Sequence, residues 1–368
     1  MQKNGRFLFS ASPKNGRRSR VFSGPPKGFV MKKRLKIISA LLLPVFLTAG
    51  FCIISPRPSV WFLKKTLNKK AFKRPKDYQS FKDNVKIIRD INYGSLYPNG
   101  FLDIIMPKNG SGGKSLILWL HGGAYIAGDK KDVEHYMVML AGSGFDIVNI
   151  NYALAPESRY PVQLKQIEEA YEFISANAGK YSINPDKIFL GGDSAGAQLA
   201  AQYANIVTNR QYRNALNASL KDKTFHTPVP EKSLKGLILL CGPYDFEELL
   251  EPEKNTMLLP FKKIGWAYFG FTDKDKYKDY LLTNIADNIC ENCPPVFITD
   301  GNTLSFENQA KKLAKKLDEK SVKTDGVFYD RSEAVLFHQY QFNMTDKYAL
   351  KTFAELLVFL ETFSRDEL

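Results

Sequence analysis

The rhythm of hydrophobic positions changes along the chain. Residues 37–55, IISALLLPVFLTAGFCIIS, are uncharged throughout and have no polar face. At a helical rise of about 1.5 Å per residue, such a run nearly crosses a roughly 30 Å hydrocarbon core. Basic and aromatic positions (Trp61, Phe62, Phe72, Tyr78) then mix through 57–80, which predicts helix. From about residue 84, short apolar runs alternate with longer amphipathic ones. VKIIRDIN (85–92) and FLDIIMP (101–107) predict strands joined around Pro98-Asn99-Gly100. SLILWL (115–120), DIVNINY (146–152), KIFLG (187–191), GLILLC (236–241) and PVFIT (295–299) predict buried strands, and VFYD (327–330) a last one. Residues 162–178 predict a helix with Pro161 near its first turn. Residues 346–364 predict a terminal amphipathic helix, with Ala349, Phe353, Leu356, Leu357 and Leu360 at helical spacing.

Strands alternating with helices over this length predict the α/β class, a mostly parallel central sheet covered by helices on both faces. Two stretches break the pattern. Residues 210–233 lack an apolar period and read as a surface loop. Residues 246–288 are rich in aromatics and charge and read, with 57–84, as a small helical cap over the sheet's carboxyl edge, where ligands of such folds bind. The expected organisation is a basic segment (1–36), an apolar segment (37–55), a juxtamembrane or cap segment (57–84) and one large domain (85–368) with its cap insertion at about 246–288.

Charge placement sharpens this division. Residues 1–76 hold 19 Lys or Arg and no Asp or Glu, whereas the rest of the chain has 33 basic and 38 acidic side chains. The net +14 therefore belongs to the N-terminal flank and not to a folded face, which argues against nucleic-acid binding. It suits contact with anionic lipid, where each basic residue is worth roughly 1 kcal/mol near the surface. Lys32-Lys33-Arg34 and Lys36 lead into the apolar run as in a signal anchor or signal peptide, and Met31 could be the natural start. An uncleaved run makes a single-pass membrane protein with the large domain extracytoplasmic or lumenal; a cleaved one makes it secreted. Basic residues on both sides leave the orientation open. The final Arg365-Asp366-Glu367-Leu368 is similar to a KDEL-type retention signal, or is a charged helix end. Four cysteines are too few for a disulfide framework, and Cys290-Glu291-Asn292-Cys293 reads as a loop disulfide or two idle thiols.

Two motifs carry chemistry. Gly192-Asp193-Ser194-Ala195-Gly196 is a G-x-S-x-G sequence with a strand running in and a helix-like AGAQLAAQYANIV running out, the context of a nucleophile elbow. The small flanking residues permit a strained turn that lifts Ser194 to the sheet edge and turns the Ala195 N–H toward an oxyanion. His121-Gly122-Gly123-Ala124 follows the strand SLILWL; its glycines let successive amides face one point and bind a developing negative charge.

The order HGGA, then Asn151-Tyr152-Ala-Leu-Ala-Pro-Glu157, then GDSAG, then Pro294-Pro295 before a strand resembles the hormone-sensitive-lipase-like branch of α/β hydrolases, over about residues 85–365. The resemblance implies an α/β-hydrolase fold, carboxylesterase or lipase activity without a metal or organic cofactor, Ser194 as nucleophile, and Gly122 and Gly123 in the oxyanion hole. Of four histidines, His121 belongs to the oxyanion loop, His135 precedes the nucleophile and His226 sits in an insertion. His338 follows the last strand, where the fold's Ser–acid–His order places the base. The family's strand-Gly-x-x-Asp acid motif is broken: Leu304 stands at the acid's position, and the nearest carboxylates are Asp300, favoured, and Glu307. Asp193, Glu157 and His121 are expected to support the loops. The expected partner is a small ester, cleaved through an acyl-enzyme. Arylformamidase or lactonase chemistry on the same site, or a silent ligand-binding module, are the alternatives.

Overall fold

The computed structural model describes residues 36, 38, 39, 41, 50–67, 72–111, 114–220, 224–250, 259–271 and 282–364. The chain divides into two compact units, Met1–Ile53 and Ile54–Leu368. All elements named below lie in the second. Most of the expected membrane segment, and the terminal RDEL, lie outside the described residues; among those described, no helix is long and apolar enough to cross a membrane.

Eight strands form one sheet: β1 (Val85–Asn92), β2 (Phe101–Pro107), β3 (Leu116–Leu120), β4 (Asp146–Ile150), β5 (Ile188–Asp193), β6 (Leu234–Leu240), β7 (Val296–Thr299) and β8 (Thr324–Val327), in the order β1-β2-β4-β3-β5-β6-β7-β8. β2 runs antiparallel to β1 and β4, and all other pairs are parallel. The alternation of side chains along a strand assigns the two faces. Leu116, Leu118 and Leu120 join one apolar layer, with Leu164 and Ile167 of helix Val162–Ala176 and Leu199 and Tyr203 of helix Ala195–Thr208. Ile117 and Trp119 join the other, with Tyr136 and Leu140 of helix Glu134–Gly142 and Phe353 and Phe359 of helix Lys347–Ser364. With both faces covered, the central strands can be apolar at every position, as β3 is.

Two expectations are corrected. The stretch 210–233 is not a loop throughout: Arg210–Ser219 is helical. Asn209 caps it by accepting from Tyr212 N at 3.0 Å, and Tyr212 and Leu216, one turn apart, are its buried anchors. Two apolar side chains are too few to register as a period. The last strand is Thr324–Val327 and not 327–330, with Val327 opposite Thr299. An edge strand needs only backbone pairing, so it can form from residues with no apolar pattern.

Helix Ala195–Thr208 is buried on every side, yet it carries Gln198, Gln202 and Asn205. They form a ladder: Tyr125 Oη donates to Gln198 Oε1 at 3.0 Å, Gln198 Nε2 donates to Gln202 Oε1 at 3.0 Å, and Gln202 Nε2 donates to Tyr160 Oη at 2.8 Å and Tyr212 Oη at 3.0 Å. Asn205 Nδ2 reaches Ile285 O at 3.1 Å. Buried amides of this kind cost free energy unless partnered, so the ladder fixes which surroundings the helix accepts.

Candidate active site

β5 delivers Ser194 to the edge of the sheet. The residue adopts φ 53°, ψ −121°, a conformation L side chains rarely hold. Three contacts enforce it. Ser194 N donates to Leu240 O at 2.8 Å, a Cβ on Gly196 would run into the Leu120 carbonyl, and a Cβ on Gly192 into the Gly196 backbone. Strand, turn and helix are thus packed too closely to relax. Ala124, Tyr125, Cys241, Leu304 and Gln339 also take positive φ beside this turn. Such outliers cost about 1–3 kcal/mol each, and their gathering at one sheet edge marks a built site.

His338 Nε2 lies 3.0 Å from Ser194 Oγ. The segment carrying His338 is held from below: Gln339 Nε2 donates to Asp193 Oδ2, and Asp193 Oδ1 accepts from Trp119 Nε1 at 3.3 Å. The residue before the serine therefore anchors the residue after the histidine. Gln339 N also donates to Cys241 Sγ at 3.3 Å.

The glycine loop after β3 meets the same point. Gly123 has φ +129° and a Cβ there would strike Ala127 O. Gly123 and Ala195 line the cavity that holds Ser194, whereas Gly122 does not; its α-carbon backs onto the Asp193 carboxylate and Gln339. His121 is buried, its Nδ1 donating to Gly122 O at 2.7 Å and its ring stacked on Tyr152 at 4.3 Å. Burial pushes its pKa down, so it stays neutral and acts as structure. Lys130, almost fully buried, ties the far end of the loop to Asp103 at 2.8 Å and Asp90 at 2.6 Å.

The two candidate acids separate. Glu307 pairs with Lys311, one turn along helix Glu307–Glu319, at 2.7 Å. Asp300, at the end of β7, is buried beneath His338 but is bridged to it: Ser305 Oγ donates to Asp300 Oδ1 and lies 2.8 Å from His338 Nδ1. Burial pushes the Asp300 carboxyl up to about 7, against the Ser305 hydroxyl, the Cys241 thiol and the Gly301 and Phe306 amides, which favour its ionised form. Leu304, which the sequence resemblance set at the acid position, is exposed and lines the cavity. Donor atoms of Cys241, Asp300 and His338 lie within 4.8 Å of one another, the spacing of a metal site. Each is already engaged, Cys241 by Gln339 and Gln341, Asp300 and His338 by Ser305, and burial raises the Cys241 thiol well above its ordinary range, so the cluster fits a hydrogen-bonded underside. Cys290 and Cys293 are free thiols and not a disulfide.

The cavity over Ser194 holds about 200 Å³. Its walls are apolar: Leu67, Phe246, Leu249, Phe261, Ile264 and Phe306. Leu67 ends helix Arg57–Leu67, and Phe246, Leu249, Phe261 and Ile264 come from the stretch 246–288; they line the same cavity as Ser194.

Residues 102–317 match the BD-FAE family. The chain belongs to that family. The matched stretch includes the glycine loop, the elbow and Asp300, and stops before His338. The acetyl esterases of Salmonella dublin and Salmonella enteritidis are each 34% identical over 218 residues, 55% of this chain and 59% of theirs, so the chain spans about three-fifths of the length of these curated relatives. Among solved structures, esterase B of Lactobacillus rhamnosis is similar with TM-score 0.64 and 18% identity, over 88% of this chain and 97% of that one. A bacterial heroin esterase follows at TM-score 0.60 and 20% identity, over 83% and 89%. These likenesses establish the α/β-hydrolase fold.

Sequence reasoning missed Ser305, Gln339 and Lys130. Ser305 follows Leu304, which departs from the hormone-sensitive-lipase-like pattern, and carries no signature of its own. Gln339 was marked only by its place beside the histidine. Lys130 is a basic residue in a polar turn, where burial is not expected.

Proposed function

We propose that the chain is a serine carboxylesterase of the hormone-sensitive-lipase-like type, cleaving short- or medium-chain acyl esters through an acyl-enzyme. One observation carries the reading: Ser194 Oγ and His338 Nε2 stand 3.0 Å apart at the wall of an apolar cavity. His338 takes the Ser194 proton as the oxygen attacks the ester carbonyl, then gives it to the departing alcohol. The amides of Gly123 and Ala195, which line the cavity, are the donors assigned to the oxyanion, each such donor being worth about 2.7–4 kcal/mol of barrier; Gly122, expected to share this role, lies outside the cavity lining and is assigned to supporting the loop. Asp300 is the acid behind His338, and Glu307 takes no part. Water, activated by His338, releases the acid product. The acetyl esterases similar to this chain support ester hydrolysis over part of its length.

The cavity supports a short acyl class. At about 200 Å³ it falls below the roughly 300–1,000 Å³ usual for drug-sized ligands, which favours a short chain lying against Phe246, Phe261 and Ile264. We further propose that residues 37–55 hold the enzyme to a membrane, with the basic flank against anionic lipid; carbonate extraction of the full chain should leave it in the pellet, and release into the supernatant would refute this.

The test of the substrate class is a series of p-nitrophenyl esters from acetate to palmitate, alongside a γ-lactone and an N-formyl aromatic amine. The proposal predicts the highest kcat/KM on acyl chains of roughly two to eight carbons, as a small apolar cavity requires. A palmitate optimum, or faster cleavage of the lactone or formamide, would overturn it.

A further inference from the structure

We infer that Ser305 is a positioning residue: its hydroxyl links the carboxylate of Asp300 to His338 and fixes the imidazole tautomer that can accept the Ser194 proton. The inference rests on the proposed roles of Ser194 and His338.

The three contacts admit one consistent arrangement of hydrogens when Asp300 is ionised. A carboxylate only accepts, so the Ser305 hydroxyl hydrogen must point at Asp300 Oδ1. Ser305 Oγ then presents lone pairs to His338 Nδ1, 2.8 Å away, which must carry the hydrogen. With Nδ1 protonated, a neutral imidazole has its lone pair on Nε2, 3.0 Å from Ser194 Oγ. The chain therefore points every hydrogen from Ser194 toward Asp300. A protonated Asp300 permits the reverse orientation, in which Ser305 donates to Nδ1 and Nε2 carries a hydrogen useless to the nucleophile. One proton moves in the reaction, from Ser194 Oγ to Nε2 and on to the leaving alcohol; those on Nδ1 and Ser305 stay where they are.

Ser305 is not the cap of helix Glu307–Glu319, whose N-cap is Phe306 and lacks a side-chain cap bond. The loop's geometry accounts for the interposed hydroxyl. Leu304, where the sequence resemblance set the acid, adopts φ +49° and turns outward. Thr303 N bonds to Leu336 O at 3.0 Å and a Cβ on Gly301 would meet Phe337 O, so the loop is closed against the His338 segment. A carboxylate held back at the strand end is left one side chain short of the imidazole, and a serine hydroxyl fills the gap. The groups facing Asp300 are Cys241, Tyr244, Ser305 and His338; burial holds the first two neutral.

The experiment uses the full chain labelled with ¹⁵N-histidine. It records the His338 Nδ1–H resonance and titration by NMR, the rate at which a fluorophosphonate labels Ser194, and kcat and KM on p-nitrophenyl butyrate. In Ser305→Ala the labelling rate and kcat should fall about 10- to 100-fold, the scale known when the hydrogen-bond partner that orients a metal-bound imidazole is removed. KM should stay within about two-fold, and the His338 pKa should drop because the link to a negative charge is cut. Ser305→Thr, which keeps the hydroxyl, should recover most of the rate. Asp300→Asn added to Ser305→Ala should cost much less than Asp300→Asn alone, since the two act as one unit. Labelling at the wild-type rate in folded Ser305→Ala with an unmoved His338 titration would overturn the inference, and so would full additivity with Asp300→Asn. If Ser305→Ala does not hold its fold, Ser305→Cys, a weaker donor of similar size, carries the same expectations. A wild-type chain that neither labels nor turns over would sink the proposed function instead, while the His338 titration would still decide whether Ser305 couples it to Asp300.

Discussion

The nucleophile turn and the acid loop sit at the ends of β5 and β7, parallel strands separated by β6 in one sheet, yet they are built on different terms. At the turn, Gly192 and Gly196 meet backbone that leaves no room for a Cβ, and Ser194 between them is held at positive φ. At the acid loop, Gly301 is held that closely, whereas Leu304 turns outward and Ser305 reaches back in. Backbone packing therefore permits one solution for the nucleophile, whereas a carboxylate can reach a histidine by more than one side-chain route.

That contrast can be broken at the acid first. Asp300→Asn should lower kcat by about 10³- to 10⁴-fold, on the scale known for loss of the orienting acid in a serine triad. Wild-type turnover from that variant would remove Asp300 from the account. At the packed end, Gly123→Ala should cost about 10²- to 10³-fold in kcat, because its Cβ strikes Ala127 O and the amide must swing away from the oxyanion. A mild effect would show the glycine loop to be softer than its contacts imply. Lys130→Met should act on stability: it strips the partner from buried Asp103 and should cost about 3–5 kcal/mol in denaturant unfolding. A loss below about 1 kcal/mol would mean the pair anchors nothing. Glu307→Gln is the smallest, within about two-fold of wild type, since Glu307 faces Lys311 along its own helix.

The pH dependence follows from Asp300. Its folded carboxyl titrates near 7 against an ordinary 3.8, so the folded state holds a proton that the unfolded state has released across that window. This contribution to stability is complete below about 4 and is lost as pH rises through about 7, while turnover, which needs the ionised form, rises over the same range. Asp300→Asn should flatten the stability profile; an unchanged profile would place the titration elsewhere.

The sequence made some features legible because they recur as patterns. Strands β1 and β2 and the terminal helix fell where periodicity placed them, and the small residues around Ser194 and the paired glycines after β3 announce close backbone packing in their own spelling. The helix Arg210–Ser219 stayed hidden because two anchors, Tyr212 and Leu216, make no period. Strand β8 was misplaced because an edge strand needs no apolar run. Ser305 stayed hidden for a deeper reason: its significance depends on where Asp300 and His338 stand after folding, 5 and 33 residues away along the chain. The membrane segment rests on hydropathy alone.

The most direct measurement is turnover of p-nitrophenyl butyrate by the purified chain beside Ser194→Ala, with both shown to be folded. The account predicts steady hydrolysis by the first and a loss of roughly 10⁵- to 10⁶-fold in the second, the scale of removing a catalytic serine. Equal rates in the two, or no turnover by a folded wild type on any ester of the series, would contradict it.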